Sequence, residues 1–231
     1  MRTIGLIGGM SWESTVTYYQ LINRAVKREL GGLHSAKIVL NSVDFQEIET
    51  LQHQDRWEES AELLPAAAQS LERAGADLFI LCTNTMHKVA PSIESAVKIP
   101  FLHIADATAE QLKQDQCQKV ALLGTRFTME QDFYKQRLTE QHGIQILVPN
   151  PLQRQTIHDI IYCELCLGDI KEQSRIAVVD VIHDLTQQGA AATILGCTEL
   201  ALLVQTQHTS TPLYDTTQLH AEAAVQFALR A

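Results

Sequence analysis

Cys197 is the residue of this chain best placed to handle a proton. It stands between Gly196 and the pair Thr198-Glu199, where an apolar run gives way to a helical pattern. A free thiol titrates near about 8.5, close enough to neutrality to serve as acid or base. A helix N-terminus lowers that value, so the position predicts a cysteine biased toward thiolate. The alternative reading is a small buried hydrophobe after a strand, a common use of free cysteine. A second polar cluster, Cys82-Thr83-Asn84-Thr85, closes another apolar run. Asn84 and Thr85 offer donors for a carboxylate, and they equally suit helix capping. Cys163 and Cys166 form a C-x-x-C inside a helical stretch and read as two core thiols. No second cysteine or histidine pair at zinc spacing lies near them. Of the nine histidines only His87 adjoins a candidate cluster, where it reads as structural support.

The two clusters are related. Gly75–Asn84 lines up with Gly189–Thr198 at a constant offset. Each copy is a helix-ending glycine, an apolar β-rich run, then a small polar group. Ile4–Gly9 and Val120–Thr125 match at nearly the same offset. Parallel strands look alike because they are uniformly apolar, but that does not explain the matched polar clusters. The pattern predicts one supersecondary unit used twice. In register, Cys197 then corresponds to Thr83, and Cys82 to Gly196.

Elements that alternate strand and helix must position these residues. Strands are expected at Ile4–Ile7, Lys37–Val43, Leu78–Cys82, Ile99–Ile104, Val120–Leu123, Ile144–Val148, Thr193–Leu195 and Pro212–Tyr214. Helices are expected from Ser11 or Ser14 to Leu30, and at Asp55–Ala74, His87–Ala96, Asp106–Gln114 and Met129–His142. Others follow at Thr156–Cys166 and Gln173–Gln188, from Glu199, and at His220–Leu229. The fold class is α/β: two pseudo-symmetric small parallel-sheet domains, with the active site in the cleft between them. The first domain is expected to hold residues 1–106 plus 211–231, the second 107–210. Ligands in such folds sit beyond the carboxyl ends of the strands, where Met10, Thr83–Thr85, Thr125 and Cys197-Thr198 all fall. Gly5-Leu6-Ile7-Gly8-Gly9 lacks the third glycine of a dinucleotide loop. It reads instead as a tight turn aiming backbone N–H groups at a small anion.

The chain has 231 residues, 45% hydrophobic, with a formal net charge of −9. That composition supports a full core. The absence of a basic stripe argues against nucleic acid as a partner, and no apolar run approaches a membrane span. Five cysteines without a disulfide framework fit a reducing compartment, so a cytoplasmic protein is expected.

Three motifs together carry a family resemblance: Gly8-Gly9-Met10-Ser11-Trp12-Glu13-Ser14, Cys82-Thr83-Asn84-Thr85-Met86-His87 and Gly196-Cys197-Thr198-Glu199. The whole chain resembles the aspartate/glutamate racemase family, most nearly its broad-specificity amino-acid racemases. The resemblance implies proton transfer at Cα by two bases, one on each face of the substrate, with no pyridoxal, other cofactor or metal. The family's usual first motif is Cys-Asn-Thr-x-His. Matching its tail to Asn84–His87 puts Thr83, not Cys82, at the catalytic position, so a lopsided Thr83/Cys197 pair is implied. Met10, Gln52, Asn84, Thr85, Thr125, Cys166 and Thr198 are the implied substrate contacts. Some family members carry a lysine in the Glu164–Gly168 region, where this chain has Cys166. An amino-acid substrate and a homodimer are implied as well. Two alternatives have family precedent or logic: a single-cysteine decarboxylase of malonates, and a non-catalytic amino-acid-binding relative.

Overall fold

The computed structural model describes residues 1–230. Its contacts divide the chain into two compact units, Met1–Ile104 with residues 220–230, and Ala105–Leu219.

In the first unit β1 (Ile4–Gly8) is buried at every residue. Ser11 then caps α1 (Trp12–Leu30) by accepting from Ser14 N at 3.3 Å. Tyr18, Ile22, Ala25 and Val26 fall on one stripe of α1, the spacing of a helix packed on a core. There follow β2 (Ile38–Ser42), α2 (Phe45–His53), α3 (Trp57–Arg73), β3 (Leu78–Leu81), a 3-10 turn over Thr85–Val89, and α4 (Ala90–Ser95). The sheet is parallel, in the order β2-β1-β3, with Ile7 opposite Leu81. One face of it packs Ile4, Leu6, Leu78, Ile80 and Cys82 against α1 and the closing helix. On the other face α3 comes so near that a Cβ on Gly5 would lie 3.0 Å from Leu71.

The second unit runs α5 (Ile104–Gln114), β4 (Lys119–Gly124), α6 (Arg126–Glu130), α7 (Asp132–Gln136), β5 (Gln145–Leu147) and α8 (Pro151–Cys163). It continues with α9 (Glu172–Gln187), β6 (Thr193–Gly196), α10 (Leu200–Leu203), β7 (Leu213–Asp215) and the start of α11 (Thr216–Leu229). Its sheet is also parallel, in the order β5-β4-β6-β7. Both sheets therefore place the unit's first strand between its second and third, the arrangement expected of a repeated unit. The core gathers Ala121, Leu123, Ile157, Ile161, Val178, Ile182, Leu185 and Leu195.

Several sequence expectations change. Residues 211–219 group with the second unit, because β7 pairs with β6. The return to the first unit begins at His220. Ile99–Ile104 is not a ladder strand; Phe101 makes one isolated bridge to Phe79. A helix not foreseen, α2, starts where Asp44 accepts from Gln46 N at 3.1 Å. The expected helix over Met129–His142 is broken: α6 and α7 are separated by extended Gln131, and a π-turn spans Arg137–Gln141. Finally, α8 stops at Cys163, and Cys166 lies on a separate 3-10 turn over Leu165–Leu167 that ends at left-handed Gly168. The two cysteines thus share no helix face; Cys163 is exposed and Cys166 half-buried.

Candidate active site

Each unit presents a cluster at the carboxyl ends of its central strands. In the first unit, the β1–β3 pairing puts the Gly8–Met10 turn beside Cys82-Thr83. Gly9 has φ +95°, and a Cβ there would lie 2.2 Å from Val43 O, so only glycine fits the turn. Its N–H donates to Thr15 Oγ1 at 2.8 Å. That bond satisfies the Gly9 N–H, so it is not free for the small anion that the sequence predicts at this turn. Met10 is buried.

Side chains alternate along β3, so Leu78, Ile80 and Cys82 enter the same apolar core. Cys82 is fully buried, and burial pushes its thiol well up from the ordinary value. Thr83, the next residue, is half-buried. Asn84, Thr85, Met86 and His87 are buried behind it. Gln52, near the end of α2, reaches this cluster: its Nε2 lies 2.9 Å from Met86 Sδ, while its buried Oε1 has no partner among the described residues. Helix α2, not foreseen from the sequence, therefore carries Gln52 to Met86 of this cluster.

In the second unit, Gly124 pairs with Gly196, which sets Thr125 beside Cys197. A Cβ on Gly124 would lie 2.9 Å from Gly196 O, and one on Gly196 2.9 Å from Leu123 O, so two glycines permit this close approach. Thr125 caps α6 by accepting from Thr128 N at 3.3 Å. Thr198 accepts from Thr217 Oγ1 at 3.2 Å. Cys166 packs against the same apolar cluster that contains Cys197.

The Cys197 thiol donates to Glu199 Oε2 at 2.9 Å, and both residues are buried. Its pKa moves opposite to the sequence expectation. Burial pushes it well above the ordinary thiol value, and the charge of Glu199 and then Cys166 push it further. The dipole argument fails for a structural reason: α10 has only four residues, too few to build a strong terminal charge. Cys197 rests as a thiol aimed at a carboxylate. The contact between Cys197 and Glu199 is not evident from the sequence. The available signal was a carboxylate two residues from a cysteine in a tight turn.

Two open grooves lie elsewhere. One of about 450 Å³ between α2 and α3 is lined by Glu47, Glu59 and Glu62; another of about 520 Å³ follows β7 past Asp115 and Asp215. Neither is lined by any of the predicted site residues. Among the described residues no three His, Cys, Asp or Glu are grouped as metal ligands, and no helix is long and apolar enough to cross a membrane.

Two parallel sheets, each with a polar cluster at the carboxyl ends of its strands, define an α/β protein of two like units. The profile of the Asp/Glu/hydantoin racemase family matches residues 7–224, and the chain belongs to that family. It is an isomerase of the racemase class. It is 25% identical over 162 residues to the broad specificity amino-acid racemase RacX of Bacillus subtilis, covering 68% of this chain and 67% of that one. It matches the crystal structure of a candidate Asp/Glu racemase from Yersinia pestis at 57% identity and a TM-score of 0.94, over 100% of both chains. An aspartate racemase homologue from Pyrococcus horikoshii OT3 matches at 34% identity and a TM-score of 0.86, again over 100% of both.

Proposed function

We propose that this chain racemises amino acids without a cofactor, using Cys197 on one face of the substrate Cα and Thr83 on the other. The observation that carries this reading is the Cys197 thiol held on the Glu199 carboxylate. A thiol with a raised pKa becomes a base only if its proton has somewhere to go, and Glu199 is that acceptor. In the forward step the S–H bond breaks and an O–H bond forms on Glu199. The thiolate then takes the α-hydrogen: C–H breaks, S–H forms, and the electron pair delocalises into the substrate carboxylate. Thr83 O–H donates its proton to the opposite face of Cα; its alkoxide is reprotonated from solvent, and Glu199 releases its proton to solvent, which restores the resting site.

A hydroxyl is a serviceable donor to a strongly basic carbanion and a poor abstractor of a carbon-bound proton. The two directions therefore use unequal groups. Gln52 Oε1, a buried acceptor without a partner, suits the substrate ammonium. Asn84 and Thr85, buried where the chain leaves β3, suit the carboxylate. Cys166 carries no charge to match an acidic side chain, which supports a substrate set wider than aspartate and glutamate, as in the name of the Bacillus relative.

The test is α-proton exchange in deuterated water, with both enantiomers of the common amino acids. Exchange together with inversion supports the reading. Tight binding of an amino acid with neither, or carbon dioxide release from a disubstituted malonate without racemisation, overturns it.

A further inference from the structure

His87 lies under the Thr83 turn with both ring nitrogens engaged. Ile104 N–H points at Nε2, 3.2 Å away. A backbone N–H can only donate, so Nε2 must carry its lone pair. The proton of the neutral ring is therefore on Nδ1, which donates to the Thr83 carbonyl at 2.8 Å. Protonating the ring would set two N–H groups against each other at Ile104. Burial holds the ring well below the ordinary histidine value, and His103 and His220 add to that.

The floor beneath His87 is itself braced. The ring stacks on Phe101 (centroids 5.5 Å apart) and meets His103 edge-on at 4.5 Å. Pro100 and Leu102 bond to Phe79 of β3 at 2.9 and 3.1 Å, fixing this segment along the strand. His220 Nε2 donates to Leu102 O at 2.8 Å, while its Nδ1 accepts from Tyr18 OH at 2.9 Å. Tyr18 of α1 thus steadies His220 of α11, His220 holds Leu102, and Ile104, two residues on, holds His87.

We infer that His87 is a positioning residue for Thr83: its neutral Nδ1–H tautomer, fixed by Ile104, pins the Thr83 carbonyl and so aims the Thr83 hydroxyl at Cα. This rests on the role proposed for Thr83. It differs from a general packing role because it acts on only one of the two proton transfers. A small misplacement of a reacting group is costly, and Thr83 is the weaker partner.

The experiment follows, in deuterated water, the enantiomer of one amino acid whose α-hydrogen faces Cys197, identified as the one that exchanges faster. Exchange with retention reports Cys197 alone; inversion reports Thr83. Their ratio is unaffected by the fraction of folded protein. His87→Gln keeps an acceptor for Ile104 but loses the donor at the Nδ1 position. His87→Asn keeps a donor at that position. The expected result is that inversion relative to exchange falls about tenfold or more in His87→Gln and recovers largely in His87→Asn. In a Thr83→Ala background, His87→Gln should change nothing further. An unchanged ratio in His87→Gln, or no recovery in His87→Asn, overturns the inference. If both variants fail to fold, nitrogen chemical shifts of the wild-type ring decide. A neutral Nδ1–H ring through the neutral range supports the inference, and an Nε2–H or charged ring overturns it. Should Thr83→Ala alone leave inversion intact, the role of Thr83 fails, whatever the His87 variants do.

Discussion

Cys197 donates its thiol proton to Glu199 Oε2 across 2.9 Å, with both side chains buried at the end of β6. Burial raises the thiol's pKa and this contact raises it further, while in the proposed mechanism the same carboxylate takes the thiol's proton. The first effect opposes ionisation at rest; the second is the route by which the proposed mechanism ionises the thiol.

Replacing Glu199 separates the two effects. In Glu199→Gln the repulsion between carboxylate and thiolate is gone, so the Cys197 pKa should move down toward the ordinary thiol value. The pH profile of Cys197 alkylation, followed by mass spectrometry, should shift to lower pH. Racemisation should nevertheless fall by roughly 10²-fold, because the proton acceptor is lost. A variant whose alkylation profile moves while its activity stays unchanged would remove Glu199 from the reaction.

The two buried cysteines should respond oppositely to serine. Cys197→Ser keeps the shape but replaces the proton-transfer group, so less than about a tenth of kcat should remain, a barrier increase above ~1.4 kcal/mol. Its melting temperature should change little. Cys82 has no exposed surface and lies among Leu78, Ile80 and Val225 in an apolar core. Cys82→Ser buries a hydroxyl there and should cost about 1–3 kcal/mol of stability, with kcat retained. Loss of kcat in a well-folded Cys82→Ser protein would mean that Cys82, and not Thr83, partners Cys197.

The repeat was legible because it lies in residues with steric reasons to be what they are. Gly124 and Gly196 allow two backbones to touch, and Gly9 holds a left-handed turn. Parallel strands read plainly because they are buried on both faces. The helix α2 was not legible: its pattern is short, and only Asp44 marked its start. The Cys197 environment was misread because the sequence shows a strand-to-helix junction but not the length of the helix, nor the direction in which Glu199 points. The engagement of His87 was out of reach for a different reason. Its partner Ile104 lies seventeen residues away, in a segment that the proline at position 100 had marked as a strand.

His87 should also mark the acid stability of the fold. Its folded-state pKa is depressed by burial from 6.5. Below about 6.5 the unfolded chain takes up a proton that the folded ring refuses, so folding stability falls as the pH drops. The melting temperature of the wild type should decline from about pH 7.5 to about 5.5, and decline less in His87→Gln. Parallel declines in the two proteins would show that the ring titrates normally in the fold.

The direction of proton transfer gives the sharpest test of the Thr83/Cys197 pair. In the proposed mechanism Cys197 both removes and returns a proton on its own face. Exchange without inversion should therefore be fast for the enantiomer whose α-hydrogen faces Cys197, assigned here to the L-form, and slow for its mirror image. The equilibrium between free enantiomers is fixed at one to one, so the asymmetry must reside in rates and bound states alone. In Thr83→Cys a thiol stands on the second face, with an ordinary pKa far nearer neutrality than that of a hydroxyl. The variant should accelerate reaction of the D-form most, and kcat and KM must still change together so that the equilibrium constant is preserved. Deuterium incorporation into each enantiomer, followed by proton NMR alongside chiral chromatography, measures every quantity needed. If the wild type exchanges both enantiomers equally and Thr83→Cys gains nothing, the hydroxyl is not the limiting group. Abstraction on that face must then come from another residue of the first unit's cluster.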